Sequence, residues 1–215
     1  MVICVIGGGG KTAACRRVAR ELADRWVLFT TTTHIYPLQE PECRLLLIDP
    51  EEQALLQALK QPGIVCAGTR SREGKLAGLP EELLQRAVAQ ADVTVCEADG
   101  AKHLPLKLHR EFEPVLLPGT DLCLVVAGLS ALGKPVGEAV HCYDRNPAWK
   151  QEPERIVGIE EFLYCLRENL QQAGGKAKEC LVLLNQADVL SDPAPAMELK
   201  NILTGNEIGI TLLDC

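Results

Sequence analysis

The feature that most constrains this chain is the run Gly7-Gly8-Gly9-Gly10-Lys11-Thr12, set directly after the apolar stretch Val2 to Ile6. Glycines followed by Lys-Thr at the end of a buried strand read as a tight turn into a helix, the opening unit of an α/β fold. Consecutive backbone N–H groups can face one point only in conformations that are cheap for glycine, and the helix that follows presents the positive end of its dipole. Gly7, Gly8, Gly9 and Gly10 are therefore expected to cradle the phosphates of ATP or GTP. Lys11 would reach the β and γ phosphates, and the Thr12 hydroxyl would sit on Mg2+. The usual pattern for such a loop, GxxxxGK[ST], starts with a glycine where this chain has Val5, so the loop is shortened or differently shaped. The alternative is a glycine-rich turn with an exposed lysine.

Further along, short apolar runs alternate with segments of helical periodicity, the pattern of repeated βα units. Strands are expected at Trp26 to Thr31, Arg44 to Ile48, Ile64 to Ala67, Val93 to Cys96, Leu122 to Ala127, Leu181 to Leu184 and Ile210 to Leu213. Helices are expected at Lys11 to Arg25, Pro50 to Lys60, Leu79 to Ala91, Ile159 to Ala173 and Pro195 to Leu203. In the first of these, Ala14, Val18, Leu22 and Trp26 recur four apart and make one buried face. The class implied is α/β, a doubly wound, mostly parallel sheet in a three-layer αβα arrangement like that of P-loop NTPases, in one domain over residues 1–215. Two stretches rich in Pro, Gly, His and charge, about 101–118 and 128–155, are expected to be functional loops at the carboxyl ends of strands.

Other residues fit the same chemistry. Val93 to Cys96 runs into Glu97-Ala98-Asp99-Gly100, which offers an acid, Glu97 or Asp99, to hold Mg2+ and take part in catalysis; the ExxG spacing of Glu97 and Gly100 resembles that of some metal-insertion GTPases, and that resemblance implies a γ-phosphate-sensing role for Gly100. Those acids could also be a solvated turn. Asn185-Gln186-Ala187-Asp188 resembles the NKxD element that reads guanine, with Gln186 in place of its Lys; the alternative is a turn in which Asp188 caps a helix. The base is left open between adenine and guanine. Thr30-Thr31-Thr32-Thr33-His34 closes a strand, where Thr33 and His34 are candidates for contact with phosphate, metal or a second substrate, while Thr30 and Thr31 also suit a strand. Lys102, Lys107 and Lys134 could neutralise an anion or be surface lysines.

Composition excludes several classes. A net charge of −7 argues against nucleic acid or an anionic membrane as the main partner. The opening apolar run is too short for a signal-peptide core, and no apolar stretch approaches the ~18 residues of a spanning helix, so a cytoplasmic location is expected. Ten cysteines are scattered singly with no CxxC pair, several within strand-like runs, which reads as reduced core residues and not as a disulfide scaffold. The four histidines show no zinc spacing, and no GxSxG elbow is present.

GGGGKT, TTTTHI, Lys75-Leu76-x-Gly78, EADGAKxxPLK with the following Glu113-Pro114, and LNQAD together resemble the YqeC-type accessory proteins of selenium-dependent molybdenum hydroxylases, over nearly the whole chain. That resemblance implies a role in maturing such a hydroxylase or its molybdenum cofactor. A basic residue is expected after His141 in such proteins, and Cys142 stands there. The leading expectation is an Mg2+-dependent NTPase serving that assembly. The alternatives are a nucleotide-gated chaperone or interaction module with little turnover, and a small-molecule kinase.

Overall fold

The computed structural model describes residues 1–204 and, for the backbone, 209–212. The strands are β1 (Val2–Gly7), β2 (Trp26–Thr31), β3 (His34–Ile35), β4 (Leu45–Ile48), β5 (Gly63–Arg70), β6 (Leu76–Ala77), β7 (Val93–Glu97), β8 (Leu106–Lys107), β9 (Thr120–Gly128), β10 (Val140–His141), β11 (Ala177–Asn185) and β12 (Gly209–Leu212). The α-helices are α1 (Lys11–Glu21), α2 (Glu52–Ala58), α3 (Glu81–Gln90), α4 (Val136–Ala139), α5 (Pro147–Gln151), α6 (Ile159–Ala173) and α7 (Ala194–Thr204). The class is α/β with mostly parallel strands, consistent with a three-layer αβα fold, as the alternating pattern implied. Leu213, the last residue of the expected final strand, and Cys215 lie outside the described residues.

Contacts group the chain into two compact units. The first comprises Met1–Val5, Thr12–Ala98 and Val115–Asp121. Its strands β1, β7, β2 and β5 are parallel neighbours, with β4 also parallel to β5, and β6 joins antiparallel to β5 and to β3. Apolar runs such as VICVIG and WVLFTT are buried almost throughout, because such strands have no solvent face. Leu28, Val65 and Ala67 of the sheet pack with Leu55 and Leu59 from the α2 region and Ala87 of α3. Helix α1 ends at Glu21, short of the expected Arg25, and its buried face is Ala14, Cys15 and Ala19. Leu22 lies beyond the helix and Trp26 begins β2, so the four-apart apolar row crosses an element boundary.

The second unit comprises Ile6–Lys11, Asp99–Pro114 and Leu122–Cys215. Here β9 neighbours β11, β11 pairs in parallel with β12, and β8 and β10 form a separate parallel pair. Helix α6 buries Phe162, Leu163, Cys165 and Leu166, and Glu161 secures its start by accepting the Gly158 N–H at 3.0 Å. The stretch 128–155, expected as an irregular loop, folds instead into short elements. It holds 3-10 turns at Leu129–Ala131 and Tyr143–Arg145, with α4, β10 and α5 between and after them. Asn146 caps α5, accepting from Ala148 and Trp149, with Pro147 as the first helical residue.

Candidate functional site

The glycine turn is shaped by close backbone contact. Gly7 has φ of 101°, and a side chain there would run into the Val126 carbonyl; Gly9 has φ of 71°, and a side chain there would strike Gly128. Only glycine tolerates both conditions. The turn's amides are already engaged: Gly7 N–H donates to Asp99 Oδ2 at 3.0 Å, Gly8 N–H to the Val126 carbonyl at 2.9 Å, and Gly9 N–H to the Leu104 carbonyl at 3.0 Å. Three of the four expected phosphate-facing glycines therefore direct their N–H groups to protein acceptors. Asn185 braces the other side, donating from Nδ2 to the Gly9 carbonyl at 2.8 Å and lying against Gly10.

Lys11 and Asp99 meet beneath this turn. Lys11 Nζ donates to the Gly7 carbonyl at 2.7 Å and lies 3.3 Å from Asp99 Oδ1, with both residues buried. Asp99 Oδ2 also takes His109 Nε2 at 2.6 Å and lies 3.5 Å from Lys107 Nζ. Lys107, with a side chain wholly buried, reaches Glu113 at 2.8 Å and donates to the Gly100 carbonyl at 2.5 Å. Two lysines thus face two carboxylates. Burial alone would push Asp99 up, but Lys11, the His109 hydrogen bond and Lys107 outweigh it and hold the carboxyl well below the usual range. Asn169 of α6 fixes the Lys107 backbone, donating to its carbonyl at 2.8 Å. The His109 Nδ1 is buried without a partner among the described residues.

In the first unit, Thr12 Oγ1 donates to Glu97 Oε2 at 2.7 Å, and Glu97 is 6% exposed. A hydroxyl joined to one carboxylate at a strand end suits Mg2+, which keeps several waters and binds through one or two carboxylates plus phosphate. The two acids expected to serve a metal thus have different surroundings, Glu97 beside a hydroxyl and Asp99 among lysines. No group of three or more His, Cys, Asp and Glu that could hold a metal is present among the described residues.

The threonine tract divides as well. Thr30 Oγ1 donates to the Ala67 carbonyl at 2.9 Å, Thr31 Oγ1 to the Glu97 carbonyl at 2.7 Å, and Thr32 Oγ1 to the Val115 carbonyl at 2.7 Å, all structural uses. Thr33 is half-buried, with its N–H on Thr31 Oγ1, and His34 is exposed on β3. Gly78 lies against the Thr31 carbonyl, and Lys75 sits 5.1 Å over the Tyr36 ring, which gives the Lys75-Leu76-x-Gly78 motif a place beside the same tract.

After β11, Gln186 adopts a left-handed conformation and accepts from Ser130 Oγ at 2.6 Å. Asp188 is exposed in the 3-10 turn Ala187–Val189. It does not cap α7, because Asp192 bonds the Ala194 N–H at 2.9 Å. Lys102 and Lys134 are exposed, unlike Lys107. Sequence reasoning did not place His109 or Asn169; neither belongs to a spacing motif, and their only signal was a polar residue within an otherwise buried segment.

These residues define an α/β protein organised around a glycine-rich strand-to-helix turn with a buried lysine–aspartate centre. A family model described as YqeC protein matches residues 3–144, and the chain belongs to the YqeC family. The protein of Escherichia coli (strain K12) named "Uncharacterized protein YqeC" is 34% identical over 149 residues, covering 65% of this chain and 57% of that protein. The chain thus spans a little over half the length of the curated relative it matches. No solved structure matches. No helix among the described residues is long and apolar enough to cross a membrane.

Proposed function

We propose that the chain is a P-loop protein that binds ATP or GTP, and that it acts as an Mg2+-dependent NTPase assisting maturation of a selenium-dependent molybdenum hydroxylase or its molybdenum cofactor. The observation that carries the nucleotide reading is Lys11, buried beneath the glycine turn and held between the Gly7 carbonyl and Asp99. The first-turn amides of α1 lie next to it in the chain, and helix geometry leaves them without intrahelical acceptors. The assembly role follows from the family resemblance alone.

In this reading phosphate oxygens take over Lys11 Nζ. Asp99 keeps His109, Lys107 and the Gly7 N–H, so it is not left as an unpaired buried charge when Lys11 turns to the ligand. Thr12 and Glu97 would hold Mg2+, which would neutralise charge on the phosphates. The work asked of this chain's residues is positioning and charge neutralisation. Exposed Asp188 remains available to a base. A second reading, a nucleotide-gated interaction module with little turnover, draws support from the engaged amides of Gly7, Gly8 and Gly9, which leave a small cradle.

Calorimetric titration of the wild type and Lys11→Ala with ATP, GTP and CTP, each with Mg2+, tests the claim. The wild type binds at least one triphosphate, and Lys11→Ala weakens it about tenfold or more, since a charge-assisted hydrogen bond contributes ~1.5–3 kcal/mol. No binding by either protein would overturn the reading. Binding of ATP without GTP would remove guanine recognition by Asp188. Steady hydrolysis by the isolated chain separates the enzyme from the module.

A further inference from the structure

Ala13, Arg16, Arg17 and Arg20 share one face of α1, spaced three, four and seven apart. With Leu38 and Glu42 they line a pocket of about 240 Å³ wholly inside the first unit. Three guanidinium groups around one pocket reverse the local sign of a chain whose net charge is −7. Two of them have weak exposed partners: Arg17 Nε pairs with Glu21 at 3.1 Å, and Arg16 Nη1 lies 3.5 Å from Glu42. Arg20 is exposed with no acid in pairing range among the described residues.

A plain solvated face accounts for the Arg17–Glu21 pair. It does not account for Arg16, whose Nε is shielded from solvent and has no acceptor among the described residues. A buried donor without a partner is costly, and an ordered group that accepts from it relieves the cost. The Nε edge of a guanidinium matches the paired oxygens of a phosphate or carboxylate. Leu38, 1% exposed, gives the pocket an apolar wall for the carbon part of such a molecule.

We infer that this pocket binds the oxyanion group of a small molecule, a phosphate monoester or a carboxylate, through Arg20 and the part-exposed Arg16 guanidinium, which turns its shielded Nε edge into the pocket as the anion arrives, with Arg17 released from Glu21 to join them. The pocket's volume suits one small metabolite and not a polymer. The site stands on these residues and not on the nucleotide reading.

The test follows Arg Nε–H and backbone amide signals of the full 15N-labelled chain by NMR at mildly acidic pH while inorganic phosphate, or separately succinate, is added. Saturable shifts of Arg16 and Arg20 Nε–H are expected, and the probe that produces them identifies phosphate or carboxylate as the source. Arg16→Gln weakens that probe about tenfold or more. Arg16→Lys, which keeps the charge but not the Nε donor, does not restore it. Arg20→Gln, an exposed change that leaves packing alone, weakens it several-fold and carries the test if Arg16 variants do not fold. Shifts confined to the amides of Gly10 to Ala13, or shifts that never saturate, would overturn this pocket while leaving the nucleotide reading standing.

Discussion

At the scale of single residues, Asp99 is the most consequential side chain. Among the described residues it alone faces both buried lysines, so Asp99→Asn strips Lys11 of its counter-charge and leaves Lys107 with Glu113 only, a loss expected to cost about 3–5 kcal/mol in urea unfolding. A loss below about 1 kcal/mol would contradict the charge balance described for this centre. His141 gives a pH signature. Burial, then Lys107 and Lys102, hold its imidazole below the ordinary histidine range. The unfolded chain, with a value near ~6.5, therefore takes up that proton first, and folded stability falls as pH drops below about 6.5. His141→Gln should flatten that part of the stability profile, and an NMR titration should place the midpoint below that of a free histidine. Lys11, Glu97, Asp99 and Asn185 were legible because each sits at a fixed offset from a strand end. The partners of Asp99 were not, since His109 meets it only through the path of the chain after Gly100.

At the scale of elements, the long ones were written in local pattern. β2 and α6 begin and end where apolar runs and helical periodicity put them. The two-residue strands β3, β6, β8 and β10 are shorter than any periodic window, and only their pairing partners define them. The end of α1 was misjudged because no Gly or Pro marks it. The glycine turn makes a sharper claim. Gly7→Ala forces a side chain toward the Val126 carbonyl at positive φ, so strain of ~1–3 kcal/mol adds to the clash and the urea midpoint should fall markedly. Asn185→Ala, which strips one donor from the buried Gly9 carbonyl, is expected to cost less, about 1–3 kcal/mol. Equal midpoints for Gly7→Ala and wild type would show that the turn is not held by this contact.

At the scale of the whole molecule, the cysteines behave as filler. None of the nine described ones is in a disulfide, and eight of them are buried, with Cys180 half-buried. Burial pushes the Cys66 thiol up to about 12, so it carries almost no thiolate near neutral pH. Alkylation resolved by mass spectrometry should therefore modify Cys180 before Cys66 or Cys165, which become labelled only on denaturation; early labelling of Cys66 would argue for an opening of the first unit. The glycine turn carries a different consequence. Asp99, Leu104 and Val126 supply acceptors that in other settings a ligand would bring, so the amide hydrogens of Gly7, Gly8 and Gly9 should exchange slowly with deuterated solvent before anything is bound. In the proposed reading an anion finds those three amides already taken and must rely on Lys11 and the first-turn amides of α1, but the turn needs no further ordering, so affinity is not drawn down by the entropy of freezing a loop.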